Sequence, residues 1–213
     1  MDAPHLQIAH VLHGCRTLGP GSRTVVWVRG CSRRCPGCIA AALQGEGPVR
    51  ELTPEILAGH ILETDDEGVT FSGGEPLEQA EGVARTARIL REAGRSVMVY
   101  TGYTLEDLQA DQGVWVEELL SQTDLLVDGP FDRTRQVDQL WRGSSNQRVH
   151  VLGTRFHELV GVLDQPGVGV EVHTDAEGRL FWAGVPPAGF ARGLLRAAES
   201  RGIELSVNAG VWA

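Results

Sequence analysis

The chain has few basic residues, few cysteines and no long apolar run. Its 213 residues carry 19 basic side chains, all of them arginine, against 28 aspartates and glutamates, a formal net charge of −9. This balance argues against binding nucleic-acid phosphates, which requires a basic face. No apolar run approaches the roughly 20 residues of a membrane-spanning helix, and the first ten residues lack the features of a signal peptide. We therefore predict a soluble, cytoplasmic protein that binds neither nucleic acid nor a membrane.

Three of the four cysteines lie close together. Cys31, Cys35 and Cys38 form a C-x₃-C-x₂-C pattern, while Cys15 lies apart and is expected to be a small buried residue. In a reducing compartment such cysteines are thiols or metal ligands rather than disulfides. The spacing supplies three thiolates and leaves a fourth metal position open. By itself it fits either an iron–sulfur cluster or zinc with a histidine such as His13.

Short apolar, β-branched runs alternate with helical patterns. The runs that predict strands are 24–28, 69–71, 96–100, 125–127 and 149–152. Because they are apolar at nearly every position, they are typical of strands covered on both faces in a parallel sheet. Alternation with helices predicts βαβ units, in either an open doubly wound sheet or a (β/α) barrel. Five strands are too few to close an eight-stranded barrel.

Helix starts and stops can be placed between these strands. Thr53 is a predicted N-cap followed by Pro54, and Thr104 is predicted to open a helix with a capping box. Apolar residues at three- and four-residue spacing predict a helix over 77–90, with Gly94 as its stop.

The last part of the chain has a different pattern. Residues 168–173 and 179–182 flank the turn sequence 175–178, which predicts a β-hairpin. A helix from about 190 to 200 and a strand over 203–207 are predicted to follow. We therefore divide the chain into a core, residues 1–155, and a C-terminal hairpin and helix extension, residues 156–213.

A second motif follows the second predicted strand. Ser72-Gly73-Gly74-Glu75 lies between a strand and a helix, at the strand edge where such folds bind ligands. The two glycines allow close main-chain approach, and a carboxylate can accept a hydrogen bond from an ammonium group. A tight βα turn without a ligand is the simpler interpretation of the glycine pair taken alone.

With these two motifs in this order, the sequence resembles the radical S-adenosylmethionine (SAM) superfamily. Within it, the sequence is similar to the small activases of anaerobic ribonucleotide reductase, from about Gly19 to Gly153. The segments that carry the resemblance are 19–23, the cysteine motif, 72–77, 100–103, 127–131 and 142–147.

The resemblance implies a fold and a set of cofactor contacts. The fold would be a partial (β/α)₆ barrel, with Cys31, Cys35 and Cys38 holding a 4Fe–4S cluster whose open iron binds SAM. The turn Ser72, Gly73, Gly74 and Glu75 would hold the methionine ammonium of SAM. Gly37, which precedes the third cysteine, could contact adenine only through its backbone.

Three further residues are candidates for SAM contacts. Thr101 and Asp128 follow predicted strands, and Asn146 lies in a polar loop. Each could instead serve an ordinary turn. Arg33 and Arg34 add positive charge that would favour an acidic electron donor of the flavodoxin or ferredoxin type, and a solvated pair of arginines is an equally good interpretation.

The implied reaction is reductive cleavage of SAM to a 5′-deoxyadenosyl radical, which abstracts hydrogen. The closest resemblance makes the substrate a glycine of a partner enzyme. Two departures leave alternatives open: relatives often carry an aromatic residue or histidine, then asparagine, where this chain has Ile39-Ala40-Ala41, and the extension exceeds the compact activase pattern. Direct modification of a peptide or small metabolite is one alternative, and a non-enzymatic metal-binding module is another.

Overall fold

The computed structural model describes residues 4–161, 163, 166, 167, 169–174 and 180–204. It is a mixed α/β fold with one seven-stranded sheet and two two-stranded sheets. The strands are β1 (Leu6–Cys15), β2 (Arg23–Val28), β3 (Arg50–Leu52), β4 (Gly68–Gly73), β5 (Ser96–Tyr100), β6 (Leu125–Asp128), β7 (Gln136–Gln139), β8 (Arg142–Ser144), β9 (Arg148–Val151), β10 (Val170–Thr174) and β11 (Leu180–Gly184). The helices are α1 (Pro54–Leu62), α2 (Ala80–Glu92), α3 (Leu105–Ala110), α4 (Val114–Gln122) and α5 (Phe190–Glu199). Within this described part, no helix has the length and apolarity needed to cross a membrane.

The centre of the large sheet is parallel, as the apolar runs predict. The strand order is β3-β1-β2-β4-β5-β6-β9, and β2, β4, β5 and β6 pair in parallel. Every residue of β2 and β6 is buried, which agrees with a sheet covered on both faces. The carboxyl ends of four strands therefore meet at one edge of the sheet.

Local signals place the helices between these strands. The Thr53 hydroxyl accepts a hydrogen bond from the Ile56 amide, and both bonds of the predicted capping box at Thr104 are formed. Gly94 ends the second helix with a φ of 84°, as predicted. That helix begins at Ala80 rather than 77, because a 3₁₀ turn over Pro76–Gln79 comes first. Helix α4 was missed, since Gly113 offers no side-chain cap.

The fifth predicted strand is not parallel to the others. Strand β9 pairs antiparallel with β6, so the prediction of an all-parallel sheet was wrong at this edge. A parallel return requires a crossover connection, normally a helix. The chain between β6 and β9 instead forms the β7–β8 hairpin. At the opposite edge, β1 pairs antiparallel with both β2 and β3, and neither β1 nor β3 was predicted.

The predicted α/β class is confirmed, but six parallel βα units are not present in the described residues. Four strands form the parallel part, with antiparallel strands on both sides.

The C-terminal extension contains the predicted hairpin and helix. Strands β10 and β11 pair antiparallel, with Val172 opposite Trp182, and α5 follows. The predicted turn 175–178 lies outside the described residues, as do residues 205–207 of the predicted last strand.

Candidate functional site

A cavity of about 600 Å³ lies where the parallel strands end. This volume is within the range of small-molecule sites. Its walls come from the cysteine loop, from the ends of β4 and β5, from the segment after β6, and from the C-terminal extension. It thus lies at the sheet edge where ligands bind in open and barrel-like α/β folds.

The three clustered cysteines line this cavity together. Cys31, Cys35 and Cys38 are all partly buried free thiols, and burial raises the pKa of the Cys31 and Cys38 thiols. In the described part of the chain, however, no three metal-binding side chains are arranged around one point. The structure therefore brings the thiols to one cavity without placing them in ligating geometry.

The loop that carries the thiols has a distinctive backbone. Arg34 and Gly37 both have positive φ, at 46° and 75°. The Cys38 amide donates to the Cys35 carbonyl, and the Ala41 amide donates to the Cys38 carbonyl. Gly37 lines the cavity, and a Cβ on it would lie 3.0 Å from Arg133 Cδ. These turns direct three cysteines at short spacing toward the same space.

The glycine pair after β4 packs against the start of the cysteine loop. A Cβ on Gly73, whose φ is 102°, would lie 2.6 Å from the Val28 carbonyl oxygen. A Cβ on Gly74 would lie 2.1 Å from the Gly30 carbonyl oxygen. The Gly74 and Glu75 amides donate to these same two carbonyls, each at 2.7 Å. The glycines are therefore needed to join two protein segments closely, a reason that sequence reasoning did not identify.

Glu75 is 1% exposed, and its carboxylate accepts hydrogen bonds from within the protein. Oε1 accepts from the Leu77 amide at 3.0 Å and the Thr101 hydroxyl at 2.8 Å, and Oε2 accepts from the Gly102 amide at 2.8 Å. Burial raises the Glu75 pKa, although the bonds from Gly102, Leu77 and Thr101 oppose the shift. The carboxylate thus ties the end of β5 to the end of β4.

Thr101 is linked to Glu75 and lines the same cavity, as do Ser72, Gly73 and Gly74. Beside them, the Arg33 guanidinium lies over the Tyr103 ring, 4.7 Å from its centroid. Five of the predicted SAM-binding residues therefore gather on one wall. The Arg33–Tyr103 stack adds a positive charge at this point.

Asp128 and Asn146 are placed differently. Neither is among the described residues that line the cavity. Burial acts to raise the pKa of Asp128, but hydrogen bonds from Arg148 and the Leu105 amide, together with His150, hold it below its usual range. Asn146 donates from Nδ2 to the Pro130 carbonyl at 2.6 Å. Both side chains fix the segment after β6 and do not reach the cavity.

Sequence reasoning missed several residues of the cavity wall. Gln147 lies in segment 142–147, but sequence reasoning assigned it no role; it lines the cavity. Its Oε1 accepts from the Gly143 and Ser144 amides, and its Nε2 donates to the Gly129 carbonyl. Trp182, Phe190 and Arg192 come from the extension. Nothing local in the sequence indicates this position, since it depends on how the extension packs on the core.

The zinc alternative receives no support from His13. Its ring nitrogen Nδ1 lies 2.9 Å from the Thr24 hydroxyl and 4.0 Å from Asp66, and His13 is not among the described cavity residues. Cys15 is fully buried and packs with Trp27 and Ala183, as its expected role as a small buried residue requires.

Comparison with known proteins identifies the family. A family model described as a 4Fe-4S single cluster domain matches residues 17–150, more than half of the chain. The anaerobic ribonucleoside-triphosphate reductase-activating protein of Salmonella typhimurium is 36% identical over 144 residues, which cover 63% of this chain and 91% of that protein. The chain belongs to this family of activating proteins. Another member, from Escherichia coli (strain K12), is 33% identical over 144 residues, with the same coverage of both chains.

This chain is also similar to a solved structure, that of QueE from Escherichia coli. It matches 47% of this chain and 54% of its own length, with a TM-score of 0.41 and 16% identity. The family match ends at residue 150, so the C-terminal extension lies outside it.

Proposed function

We propose that this protein is a radical SAM enzyme that generates a glycyl radical on an anaerobic ribonucleotide reductase. The observation that carries the proposal is the single cavity lined by Cys31, Cys35, Cys38 and the Gly73–Gly74 turn. These residues lie within the part of the chain that matches a 4Fe-4S domain and proteins named as activators of that reductase. Its cofactors are a 4Fe–4S cluster and SAM.

The donor set fits a cluster with one open iron. Three thiols line one cavity, whereas the fourth cysteine, Cys15, is buried behind that lining, packed with Trp27, and is not among the described lining residues. Thiolates are the usual ligands of iron–sulfur clusters. We infer that Cys31, Cys35 and Cys38 hold the cluster after their side chains turn toward one point. The loop can allow this because its cysteines lie outside helices and strands.

Our proposed SAM site is the part of the cavity wall formed by residues 72–75 and Thr101, which contains no cysteine. The main chain of Ser72, Gly73 and Gly74 would hold the methionine end of SAM, and Gly37 would contribute its backbone near adenine. Glu75 and Thr101 support this wall through their mutual hydrogen bond. Glu75 Oε2 accepts one bond, from the Gly102 amide, and so keeps a lone pair for an ammonium group. Asp128 and Asn146, first considered as direct contacts, hold the adjoining segment in place.

A 4Fe–4S cluster and SAM held here would supply the chemistry: a one-electron reductive cleavage of SAM, and abstraction of a hydrogen atom from the glycine of the partner. The protein's contribution is to bind, orient and exclude water. The buried carboxylate of Glu75, held by bonds from the Leu77 and Gly102 amides, gives that site a fixed shape.

Three further features of this function are inferred. Arg33 and Arg34 on the cysteine loop favour an acidic, low-potential donor of the flavodoxin or ferredoxin type. Free thiols and an exposed cluster suit a reducing compartment, so we place the protein in the cytoplasm. We also infer a partial barrel built on four parallel strands, residues 1–155, to which residues 156–213 are attached as an extension.

The test is anaerobic reconstitution with iron and sulfide, then reductive incubation with SAM and an anaerobic ribonucleotide reductase. We expect a glycine-centred doublet in electron paramagnetic resonance, with deoxyadenosine formed in equal amount. A reductase whose radical-bearing glycine is replaced by alanine is the control and should give no doublet. Cleavage of SAM without any protein radical would contradict the activase function and favour direct modification of a peptide or metabolite.

A further inference from the structure

The start of the cysteine loop is joined to the turn that follows β4. Residues 28–32 run from the end of β2 past Cys31, and the 3₁₀ turn Pro76–Gln79 comes directly after the proposed SAM-binding residues 72–75. Two side chains of this turn reach across to residues 28–32. The proposed cluster loop and the proposed SAM wall are therefore in direct contact at this point.

Glu78, in the 3₁₀ turn, holds the residue that follows Cys31. Its Oε1 accepts from the Ser32 amide at 2.7 Å and from the Ser32 hydroxyl at 2.6 Å. Hydrogen bonds to an ionised acceptor are shorter and stronger than those between neutral groups. Since both donors belong to one residue, a single carboxylate fixes the main chain and the side chain of Ser32 together.

Glu78 is itself fixed to the proposed SAM wall. Its amide donates to the Glu75 carbonyl at 3.1 Å, and the Glu75 carboxylate accepts from the Thr101 hydroxyl and the Gly102 amide. A short series of hydrogen bonds therefore connects Ser32 to this wall through Glu78.

Neighbouring contacts hold the main chain on the other side of Cys31. Gln79 donates from Nε2 to the Arg29 carbonyl at 2.8 Å, and its Oε1 accepts from the Gln7 amide at 2.8 Å. The Cys31 amide donates to the Gln44 carbonyl at 3.1 Å. The backbone at Cys31 is thus held before, at and after the cysteine.

Cys35 and Cys38 are held in a different way. Within the part of the chain that the structure describes, their main-chain hydrogen bonds stay inside the cysteine loop. The Cys38 amide donates to the Cys35 carbonyl, and the Cys38 carbonyl accepts from the Ala41 amide. Cys31 is therefore the proposed cluster ligand whose position depends on the turn after β4.

We propose that Glu78 is a positioning residue, which sets the separation between Cys31 and the proposed SAM-binding residues 72–75. This inference rests on the proposed function. Reacting groups that are misplaced by about 1 Å can react about 100-fold more slowly. A residue that fixes this separation should therefore affect the rate of SAM cleavage more than the binding of SAM.

The first test compares Glu78→Ala with Glu78→Gln in the reconstituted full chain, with dithionite as reductant and SAM as substrate. In Glu78→Ala we expect kcat for deoxyadenosine formation to fall about 2- to 10-fold, the range for lost hydrogen bonds, while the KM for SAM stays nearly constant. Glu78→Gln should restore most of the rate, because its carbonyl oxygen can accept both bonds from Ser32. Glu78 is exposed, so both variants are expected to fold.

The second test measures the link itself, without cluster or SAM. Amide hydrogen exchange over residues 29–35 of the metal-free protein should be about 2- to 10-fold faster in Glu78→Ala and close to wild type in Glu78→Gln. Glu81→Ala is the matched control, because it removes a carboxylate from the first turn of α2 that pairs with Arg85. It should change neither the exchange nor kcat.

Three results would overturn the inference and leave the proposed function intact. They are a wild-type kcat in Glu78→Ala, an equal loss of kcat in Glu78→Ala and Glu78→Gln, which would assign the effect to charge, and a higher KM for SAM with an unchanged kcat. Failure of the wild-type protein to cleave SAM would instead contradict the proposed function. Hydrogen exchange of the metal-free variants would still show whether Glu78 holds the segment around Cys31.

Discussion

The parallel strand ends and the C-terminal extension line the same cavity but are held by different interactions. Strand β2 is buried at every position, and Arg23 at its start is fully buried with bonds to Thr70, Ser96 and the Pro20 and Val69 carbonyls. The residues of β10 and β11 are mostly half-buried or exposed, and the hairpin contacts the core at residues 16 and 17 and at the His10 ring. The proposed cofactor site thus lies on the densely packed part, and the extension forms the part with fewer constraints.

This difference has a physical rationale. Open strand ends in a buried parallel sheet hold their side chains within narrow limits, which a cluster and SAM require. A two-stranded hairpin has little stability of its own and depends on what it packs against.

We expect the largest effect on cluster content and activity from replacing a cysteine that lines the cavity, compared with one that does not. Cys35→Ala should remove one cluster ligand, so that bound iron falls and deoxyadenosine formation drops to background. Cys15→Ala is the control, because Cys15 is buried with Ala183 of the extension and lies outside the described cavity lining. Iron and sulfide content and absorbance of anaerobic protein measure the outcome. Equal iron content in both variants would refute the ligand assignment.

Glycine to alanine substitutions in the two regions should change the free energy of unfolding in opposite directions. Gly74→Ala places a Cβ 2.1 Å from the Gly30 carbonyl oxygen, where only a backbone shift can relieve the clash. We expect it to cost about 2–4 kcal/mol in the free energy of unfolding and to lower cluster content. Gly193→Ala in α5 meets nothing within 4 Å and should stabilise that helix by about 0.5–1 kcal/mol.

Denaturation of both glycine variants under anaerobic conditions measures these changes. If Gly74→Ala is as stable as wild type, the close approach of the two segments is not what requires glycine there. A destabilised Gly193→Ala would show that a Cβ at position 193 meets neighbouring atoms, contrary to the open space found there.

The smallest expected effect is the pH dependence of stability that comes from Asp128, at the end of β6. The Asp128 pKa lies below its usual 3.8 in the folded protein, so the folded state binds the proton less tightly than the unfolded state. Ionised Asp128 therefore stabilises the fold above that pH, and the contribution is lost as the pH falls through the folded pKa. Asp128→Asn should cost about 1–2 kcal/mol at pH 7.

Urea denaturation across pH tests the assignment of this effect to Asp128. The difference between wild type and Asp128→Asn should shrink as the pH falls below 3.8. Glu106→Gln, which alters an exposed partner of the same Arg148, should change the free energy of unfolding little. A difference that stays constant with pH would show that the carboxylate charge is not responsible.

Much of the fold was predictable because its signals are local. The helix caps at Thr53 and Thr104 and the stop at Gly94 act within one turn of the chain, and the apolar runs of the parallel strands report burial directly. The pairing direction of β9 was not predictable in the same way, since it depends on the hairpin that replaces a crossover helix.

For the candidate site as well, the features set by local sequence were predictable and those set by distant segments were not. The cysteines and the turn 72–75 could be named from the sequence, and the structure gathers them at one cavity. The engagement of Asp128 by Arg148, and the use of Gly73 and Gly74 to pack on residues 28–30, could not be named, because both depend on segments distant in sequence. Gly73 and Gly74 remain predictions as cofactor contacts.

The sequence by itself determined which chemical groups are present: three closely spaced thiols, a glycine pair after a buried strand, and the family to which they belong. Only the tertiary structure decided what surrounds them. It set Glu75 between the ends of β4 and β5 and placed Trp182 against the cysteine cavity. Spacing along the chain fixes local geometry, whereas contacts between distant segments arise from packing, in which many weak interactions must be satisfied at once.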